Sequence, residues 1–527
     1  MSGYRGVVGL TVALLILTAC GGSGSGSGDS GNPPPPATDW RPGLFLPEGT
    51  FASRCTEPRS GIDPATGLPY PDISGMVLDE NNFLRSWSNR TYLWYDEILD
   101  QDPGLFEDPI AYFDVLKTNA TTTSGAPKDK FHFTYDSEEW FLLSQGGVSA
   151  GYGAEWAVLS AIPPRKIVVA STEENTPATL NGLVRGARVL AVDNVDINDP
   201  TQAGIDALNA GLFPSAVGQT HTFQIEDPDR AIRNITMTSQ EIQSATVQNV
   251  EVINTTTGVI GYLTFNYHRA PAERELIDAV STLNAGQGID DLVLDLRYNG
   301  GGFLAIASQL AYMIAGPGNT GGRTFDTLQF NDKYPSTNPI TGEPIVPMPF
   351  FDQTLGFSVS EGQPLPTLNL SRVYVLTGPN TCSASEAVIN GLRGIGVEVI
   401  QIGSRTCGKP YGFYPEDNCG TTYFTIQFRG VNEVDYGDYS DGFWPSATDN
   451  GRDAILGCQV ADDFSRQLGD PTENMLEVAL SFRNGEGCIT PASTVASEFI
   501  ESVPALRSRY PALHRSPFDS NRIMDRR

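Results

Sequence analysis

Ser383 stands in TCSASEAVINGLRG, residues 381–394, three residues before Glu386 and at the head of an apolar run. That is the capping-box pattern, in which each side chain accepts the other residue's exposed backbone N–H. A serine at a helix N-terminus also meets free N–H groups and the positive end of the helix dipole, so an alkoxide or tetrahedral oxyanion formed there is stabilised. Gly300, Gly301 and Gly302, in DLRYNGGGFL, separate a strand pattern from a helical one. Glycines let the backbone approach a substrate and turn an N–H toward it, as an oxyanion hole requires; a tight strand-to-helix turn explains them as well. Lys409, in SRTCGKPYGFY, follows Ser383 by 26 residues and is one of six lysines among 34 basic residues. A desolvated lysine loses proton affinity and can act as a general base, which arginine cannot. Of the four histidines, His268 after the GYLTFNY strand is the one in the same part of the chain as Ser383, and it stands as a rival base.

The elements that must hold these residues follow from periodicity. Alternation of strands and helices runs from about residue 245: GVIGYLTFNY, PAERELIDAVSTLNA, DDLVLDLRY, FLAIASQLAYMIAG, RVYVLTG, the Ser383 helix, VEVIQIG and TTYFTIQFRG. Such alternation builds a buried, largely parallel sheet, an α/β core. Before it, RKIVVAS, ARVLAVDNVDI and THTFQIED are short β-branched runs between turn residues, as in a small β-rich domain over 141–240. Earlier still, NNFLRSWSNRTYLWYDEIL and DPIAYFDVLKT place Phe83, Trp87, Tyr92 and Trp94 near helical spacing, which predicts a helical region over 41–140 with these aromatics in its core.

Three stretches taken together, LVLDLRYNGGG, VYVLTGPNTCSASEAV and GSRTCGKPYG, resemble the C-terminal processing, or tail-specific, serine proteases. The resemblance extends over about 75–480. It implies a crotonase-like or Clp-protease-like α/β core over 241–490, a Ser-Lys dyad of Ser383 (rather than Ser385) and Lys409, and oxyanion donors at the backbone N–H groups of Gly301 and Ala384. It also implies that the β-rich region is a PDZ-like domain. STEENTPATLNGLVRGARVLAVDNVDI carries Pro177, Ala178 and Gly186 in the family's order, and Tyr152 and Gly153 of GYGAEW correspond to the loop that captures a peptide C-terminus. The chain departs from the family at Ala187, where an acidic residue is usual, and at Phe413, where a Gln often orients the lysine. Its Ser-to-Lys spacing is one residue longer than usual.

MSGYRGVVGLTVALLILTAC opens with Arg5 and a short apolar run, the form of an export signal over 1–19. LTAC resembles the bacterial lipoprotein box, which implies acylation at Cys20 and a cell-envelope location, in the outer membrane. Residues 20–40, Cys20 followed by GGSGSGSGDSGNPPPPATDW, form a Gly/Ser/Pro tether, and 491–527 form a polar tail. The six later cysteines, Cys55, Cys382, Cys407, Cys419, Cys458 and Cys488, predict disulfides in an exported chain. The pairing expected here is Cys407–Cys419, Cys458–Cys488 and Cys55–Cys382. A formal net charge of −28 argues against nucleic acid or an anionic lipid surface as partner. Asp435, Asp438 and Asp441 in DYGDYSDG lack the EF-hand spacing and read as a solvated loop. The expectation is therefore a serine endopeptidase that needs no metal or cofactor and acts on exported proteins or peptides with accessible C-termini. A peptide-binding adaptor with an inactive core and a Ser-His hydrolase using His268 stand as alternatives.

Overall fold

A computed structural model describes residues 40–146 and 148–491, with the backbone of two short strands at 497–498 and 522–523. The export signal, Cys20 and most of the tether lie outside the described residues, as does most of the 491–527 tail.

The N-terminal region contributes α1 (Val77–Thr91), whose N-terminal turn is closed by Met76 N–H donating to Asp79 at 3.0 Å. The aromatic pattern over 81–99 predicts a longer helix. It stops at Thr91 because the Leu93 N–H is drawn away to the Ile426 carbonyl at 2.8 Å, leaving Tyr92 extended. Phe83, Trp87 and Phe113 stack beneath α1, so these aromatics are core, while DPIAYFDVLKT supplies only the five-residue helix Pro109–Phe113.

The antiparallel domain that follows has β1 (Ala154–Ser160), β2 (Lys166–Thr172), β3 (Arg188–Val192), β4 (Thr220–Glu226) and β5 (Ile232–Thr238), paired in the order β5-β4-β3-β2-β1. Trp156, Ile167, Val169, Phe223 and Ile225 turn inward from alternate positions onto α2 (Gln202–Leu212), giving the domain its own core.

The α/β core then begins with the hairpin β6 (Val247–Thr255) and β7 (Gly258–Phe265), followed by α3 (Ala272–Leu283), β8 (Asp291–Asp295), the two-residue β9 (Gly302–Phe303) and α4 (Leu304–Thr320). It continues through β10 (Arg372–Thr377), α5 (Ala384–Gly394), β11 (Glu398–Gly403), the short β12 (Tyr411–Gly412), β13 (Trp444–Ser446), β14 (Ala454–Gln459) and α6 (Asn474–Arg483). The main sheet has the order β6-β7-β8-β10-β11-β14-β13, parallel at every pair except β6–β7. Leu292, Leu294, Val373 and Val375 face α3, α4 and α5, and the alternate residues Val293, Tyr374 and Leu376 face α6. Covering on both faces explains why these strands read as unbroken apolar runs. TTYFTIQFRG, predicted as one strand, is two: Thr421–Phe424 pairs with Phe133–Asp136, and Phe428–Val431 pairs with Thr324–Gln329 outside the main sheet.

Two of the predicted disulfides are corrected. The bonds are Cys55–Cys419, Cys382–Cys407 and Cys458–Cys488, the last as expected. Because β10 and β11 are neighbours, the turns that leave their C-terminal ends lie side by side, bringing the Cys382 and Cys407 Cα atoms to 5.1 Å.

Candidate active site

Ser383 lies where β10 hands over to α5. The Thr381 hydroxyl donates to the Leu296 carbonyl at 2.7 Å, which draws the turn onto the C-terminal end of β8. Ser383 then takes φ 60°, ψ −110° at the N-cap of α5. A positive φ is strained for a side-chain-bearing residue, and sharp strand-to-helix turns of this kind are how hydrolases present a nucleophile. Only the carboxylate side of the expected capping box forms. Ser383 N–H donates to Glu386 at 2.9 Å, while the Ser383 hydroxyl is buried without a hydrogen bond.

Glu386 does more than cap. Its two oxygens also accept from Thr406 Oγ1 at 2.5 Å, Gly408 N–H at 2.9 Å and Lys409 N–H at 2.8 Å. One fully buried carboxyl thus holds the backbone of both candidate catalytic residues, and burial raises its pKa against those hydrogen bonds. Lys409 is itself buried, with its ammonium 4.7 Å from the Phe131 ring centre and 4.6 Å from that of Phe413. Desolvation pushes the Lys409 pKa well below its ordinary value, with Asp129 and Glu386 opposing the shift. Phe413, which replaces the Gln common in the resembled family, thus contributes to the apolar box that favours a neutral amine.

The Cys382–Cys407 bond closes a loop with a sequence separation of 25 immediately beside both residues. Reduction, or Cys382→Ala with Cys407→Ala, is expected to lower stability by about 3 kcal/mol from lost loop constraint. Peptide hydrolysis should fall with it as the Ser383 and Lys409 turns loosen. Denaturant unfolding and a peptidase assay on oxidised and reduced protein check this.

Asn299 was not singled out by sequence, although it stands beside the glycine run. Its carbonyl accepts from Cys382 N–H at 3.1 Å and from the Ser385 hydroxyl at 3.0 Å, one on either side of Ser383. Its side-chain oxygen accepts from Gly301 N–H at 2.9 Å and pairs with His268 Nδ1 at 3.1 Å, and its amide donates to Phe265 O at 2.9 Å. In this conformation, therefore, the Gly301 N–H expected in the oxyanion hole is held by Asn299. The Ala384 N–H, at the first position of α5, belongs to the first turn, whose donors have no intrahelical acceptor. Gly301 and Gly302 have φ 102° and 137°. A Cβ on Gly302 would lie 2.3 Å from the His268 carbonyl oxygen. Gly302→Ala should therefore cost roughly 2–4 kcal/mol of stability, measurable by urea unfolding.

His268 is fully buried against this loop. Its N–H donates to Gly301 O at 3.1 Å, and its carbonyl accepts from Phe303 N–H at 2.8 Å. Because Asn299 Oδ1 is the acceptor, Nδ1 carries the proton, and Nε2 is left buried without a partner. Burial lowers the His268 pKa to about 3, so the ring is neutral at neutral pH.

A buried ionic cluster fixes the two residues before Asn299. Arg297 pairs with Asp295, Asp462 and Glu473 at 2.9, 2.7 and 2.8 Å. Arg185 of the antiparallel domain reaches the same Asp462 at 2.6 Å and the Tyr298 hydroxyl at 2.7 Å. Sequence reading passed over these charges because Arg297 finds Asp462 and Glu473 at 165 and 176 residues away and Arg185 finds Asp462 at 277.

Tyr152 and Gly153 line a separate cavity of about 590 Å³, together with Trp156, Phe213, Arg269 and Tyr298. The Tyr152 ring is buried with its hydroxyl on Gly211 O at 3.0 Å, and the Tyr152 and Gly153 carbonyls accept from Ala178 N–H at 2.9 Å and Glu173 N–H at 2.8 Å. Gly153 has φ 76°, and a Cβ there would meet Thr176 at 2.3 Å. Asp441 accepts from the Thr122, Thr123 and Ser124 hydroxyls at 2.8, 2.8 and 2.5 Å, and Asp435 is exposed.

Residues 257–412 match the family model described as peptidase family S41. Among solved structures, a Bacteroides fragilis protein described as an S41 protease is 22% identical, with a TM-score of 0.56 over 79% of this chain and 98% of its own. That likeness establishes a shared fold. The photosystem II D1 C-terminal processing protease (17% identical, TM-score 0.42, covering 77% of this chain and 100% of its own) and mature CPAF (12% identical, TM-score 0.43, covering 79% and 99%) are also similar. No curated protein matches the chain by sequence.

Proposed function

We propose that this chain, whose residues 257–412 match the model of peptidase family S41, is a serine endopeptidase in which Ser383 attacks a peptide carbonyl and Lys409 takes its proton. The observation that carries this reading is the strained Ser383 turn, with an unbonded hydroxyl, sharing the Glu386 carboxyl with a desolvated lysine. Neutral Lys409 accepts the hydroxyl proton as the Ser383 Oγ–carbonyl bond forms, then returns it to the leaving amine as the peptide C–N bond breaks. The tetrahedral oxyanion is met by Ala384 N–H and by Gly301 N–H once the latter turns away from Asn299 Oδ1. Water, deprotonated by Lys409, then hydrolyses the acyl-Ser383 ester and frees the acid product. A fluorophosphonate tests this: labelling confined to Ser383 supports the enzyme, whereas peptide binding without labelling or turnover supports an adaptor with an inactive core.

The antiparallel domain is read as PDZ-like. Its Tyr152–Gly153 backbone beside the cavity would take the end of an extended peptide as an added strand, so the substrates are proteins or peptides with accessible, unstructured C-termini. The apolar leader over 1–19 and the LTAC box support a cell-envelope location, with the enzyme tethered through acylated Cys20 in the outer membrane and facing the periplasm or the cell surface.

The unpartnered His268 Nε2 favours one second reading, in which His268 is the base. The two readings differ in pH dependence. With its pKa at about 3, a His268 base keeps kcat/KM level from neutral pH down to about 4, rather than losing it near the ordinary histidine value. A Lys409 base makes kcat/KM fall as acidification charges the amine. His268→Gln, which keeps hydrogen-bonding capacity near Asn299, is expected to retain most activity under the lysine reading, as measured by steady-state peptide hydrolysis.

A further inference from the structure

The short strand β9 (Gly302–Phe303), immediately after Gly301, has two edges. One is bridged to His268. The other pairs in parallel with the chain's own β15 (Arg522–Ile523), in the register Gly302 with Arg522 and Phe303 with Ile523. β15 also lies beside β12 (Tyr411–Gly412), which begins two residues after Lys409. A two-residue segment about 220 positions from β9 and about 110 from β12 thus adjoins both the strand that follows the oxyanion glycines and the strand that follows the candidate base. In the same structure Ser383 and Lys409 have no solvent exposure, so a peptide reaches them only if something moves aside.

We infer that the edge of β9 opposite His268 is the rail on which an extended peptide substrate docks, and that the 522–523 segment is its resident occupant and competes with substrates for it. This rests on the peptidase reading above and adds to it the docking strand and an intramolecular competitor. The physical basis is β-augmentation: a peptide's main chain hydrogen-bonds to the strand edge, and the backbone satisfies the rail whatever its side chains are. A tethered segment acts at an effective concentration on the order of millimolar, so a short strand of weak intrinsic affinity can hold the edge. The site is competent only for the fraction of time the segment is out, which raises the apparent KM by the inverse of that fraction and leaves kcat unchanged.

The test uses the full chain and the variant Arg522→Pro/Ile523→Pro, which removes both backbone donors from β15. Hydrogen–deuterium exchange of the peptide containing Gly302 is the first readout, and a tetrapeptide-to-decapeptide substrate series gives the second. Faster exchange at Gly302 in the variant, with Arg372–Thr377 unchanged as the fold control, and a KM lower by roughly threefold or more at equal kcat are expected. A free peptide of residues 518–527 should restore both the protection and the higher KM. Unchanged Gly302 exchange overturns the inference, as does unchanged KM in chains that both turn over substrate. If neither chain cleaves anything, the peptidase reading fails while the exchange measurement still decides whether the segment occupies β9. Should the proline variant lose the Arg372–Thr377 protection, a chain ending at Asn521 gives the same comparison.

Discussion

Ser383→Gly is expected to yield a chain that hydrolyses no peptide and yet resists denaturant better than the original. Removing the nucleophile eliminates the acyl-enzyme route, a loss of at least about 10³-fold in kcat/KM. The stability gain comes from the backbone. Ser383 holds φ 60°, which costs a side-chain-bearing residue about 1–3 kcal/mol, and glycine adopts it freely at an entropic cost of about 0.5–1 kcal/mol. The buried hydroxyl that lacks a hydrogen bond disappears as well. A net gain of about 1 kcal/mol in urea unfolding, with activity abolished, would identify the turn as strain kept for chemistry. Ser383→Ala removes the same nucleophile but keeps the strained φ, so it should be inactive without that gain.

Lys409→Met should lower kcat/KM by about 10²–10⁴-fold, the usual contribution of a positioned general base, while leaving the fold intact because the thioether fits a box made by Phe131 and Phe413. The pH dependence of stability gives a second signature. The folded-state pKa of Lys409 is lowered by burial, whereas the unfolded chain titrates near the ordinary lysine value of 10.5. Between the lowered value and 10.5 the unfolded state therefore binds more protons, so this residue makes stability rise with pH across that window. The rise should be absent in Lys409→Met, as shown by unfolding free energies measured at several pH values. Lys409→Arg keeps a permanent charge in the same apolar box and is expected to be both inactive and less stable.

The strands and helices of the core were legible because each carries its burial pattern locally. β7, β8, β10 and β11 are apolar on both faces, and α3 and α5 show one apolar side. What escaped depends on partners distant in sequence. α1 ends at Thr91 because the Ile426 carbonyl takes the Leu93 N–H, which nothing in residues 81–99 announces. Two of the three disulfides differ from expectation for the same reason: Cys382 and Cys407 adjoin only after β10 and β11 pair. In the site, residue types pointed to Ser383, Lys409 and the glycines, and the fold adds what unites them. Glu386 looks in sequence like half of a cap and turns out to hold the Lys409 turn too. Asn299, which the residue pattern does not single out, bonds both flanks of Ser383 as well as Gly301. The positive φ at Ser383 has no signature in residue type, since serine seldom adopts it.

The central claim is tested most directly by digestion of an unfolded model protein with the wild-type chain and with Ser383→Ala, Lys409→Met and His268→Gln, each shown to be folded by circular dichroism. The account predicts cleavage by the wild type and His268→Gln and none above background by the Ser383 and Lys409 variants. Cleavage that survives Lys409→Met but is lost in His268→Gln, or a folded wild type that cleaves nothing even with the 522–523 segment displaced, would contradict it.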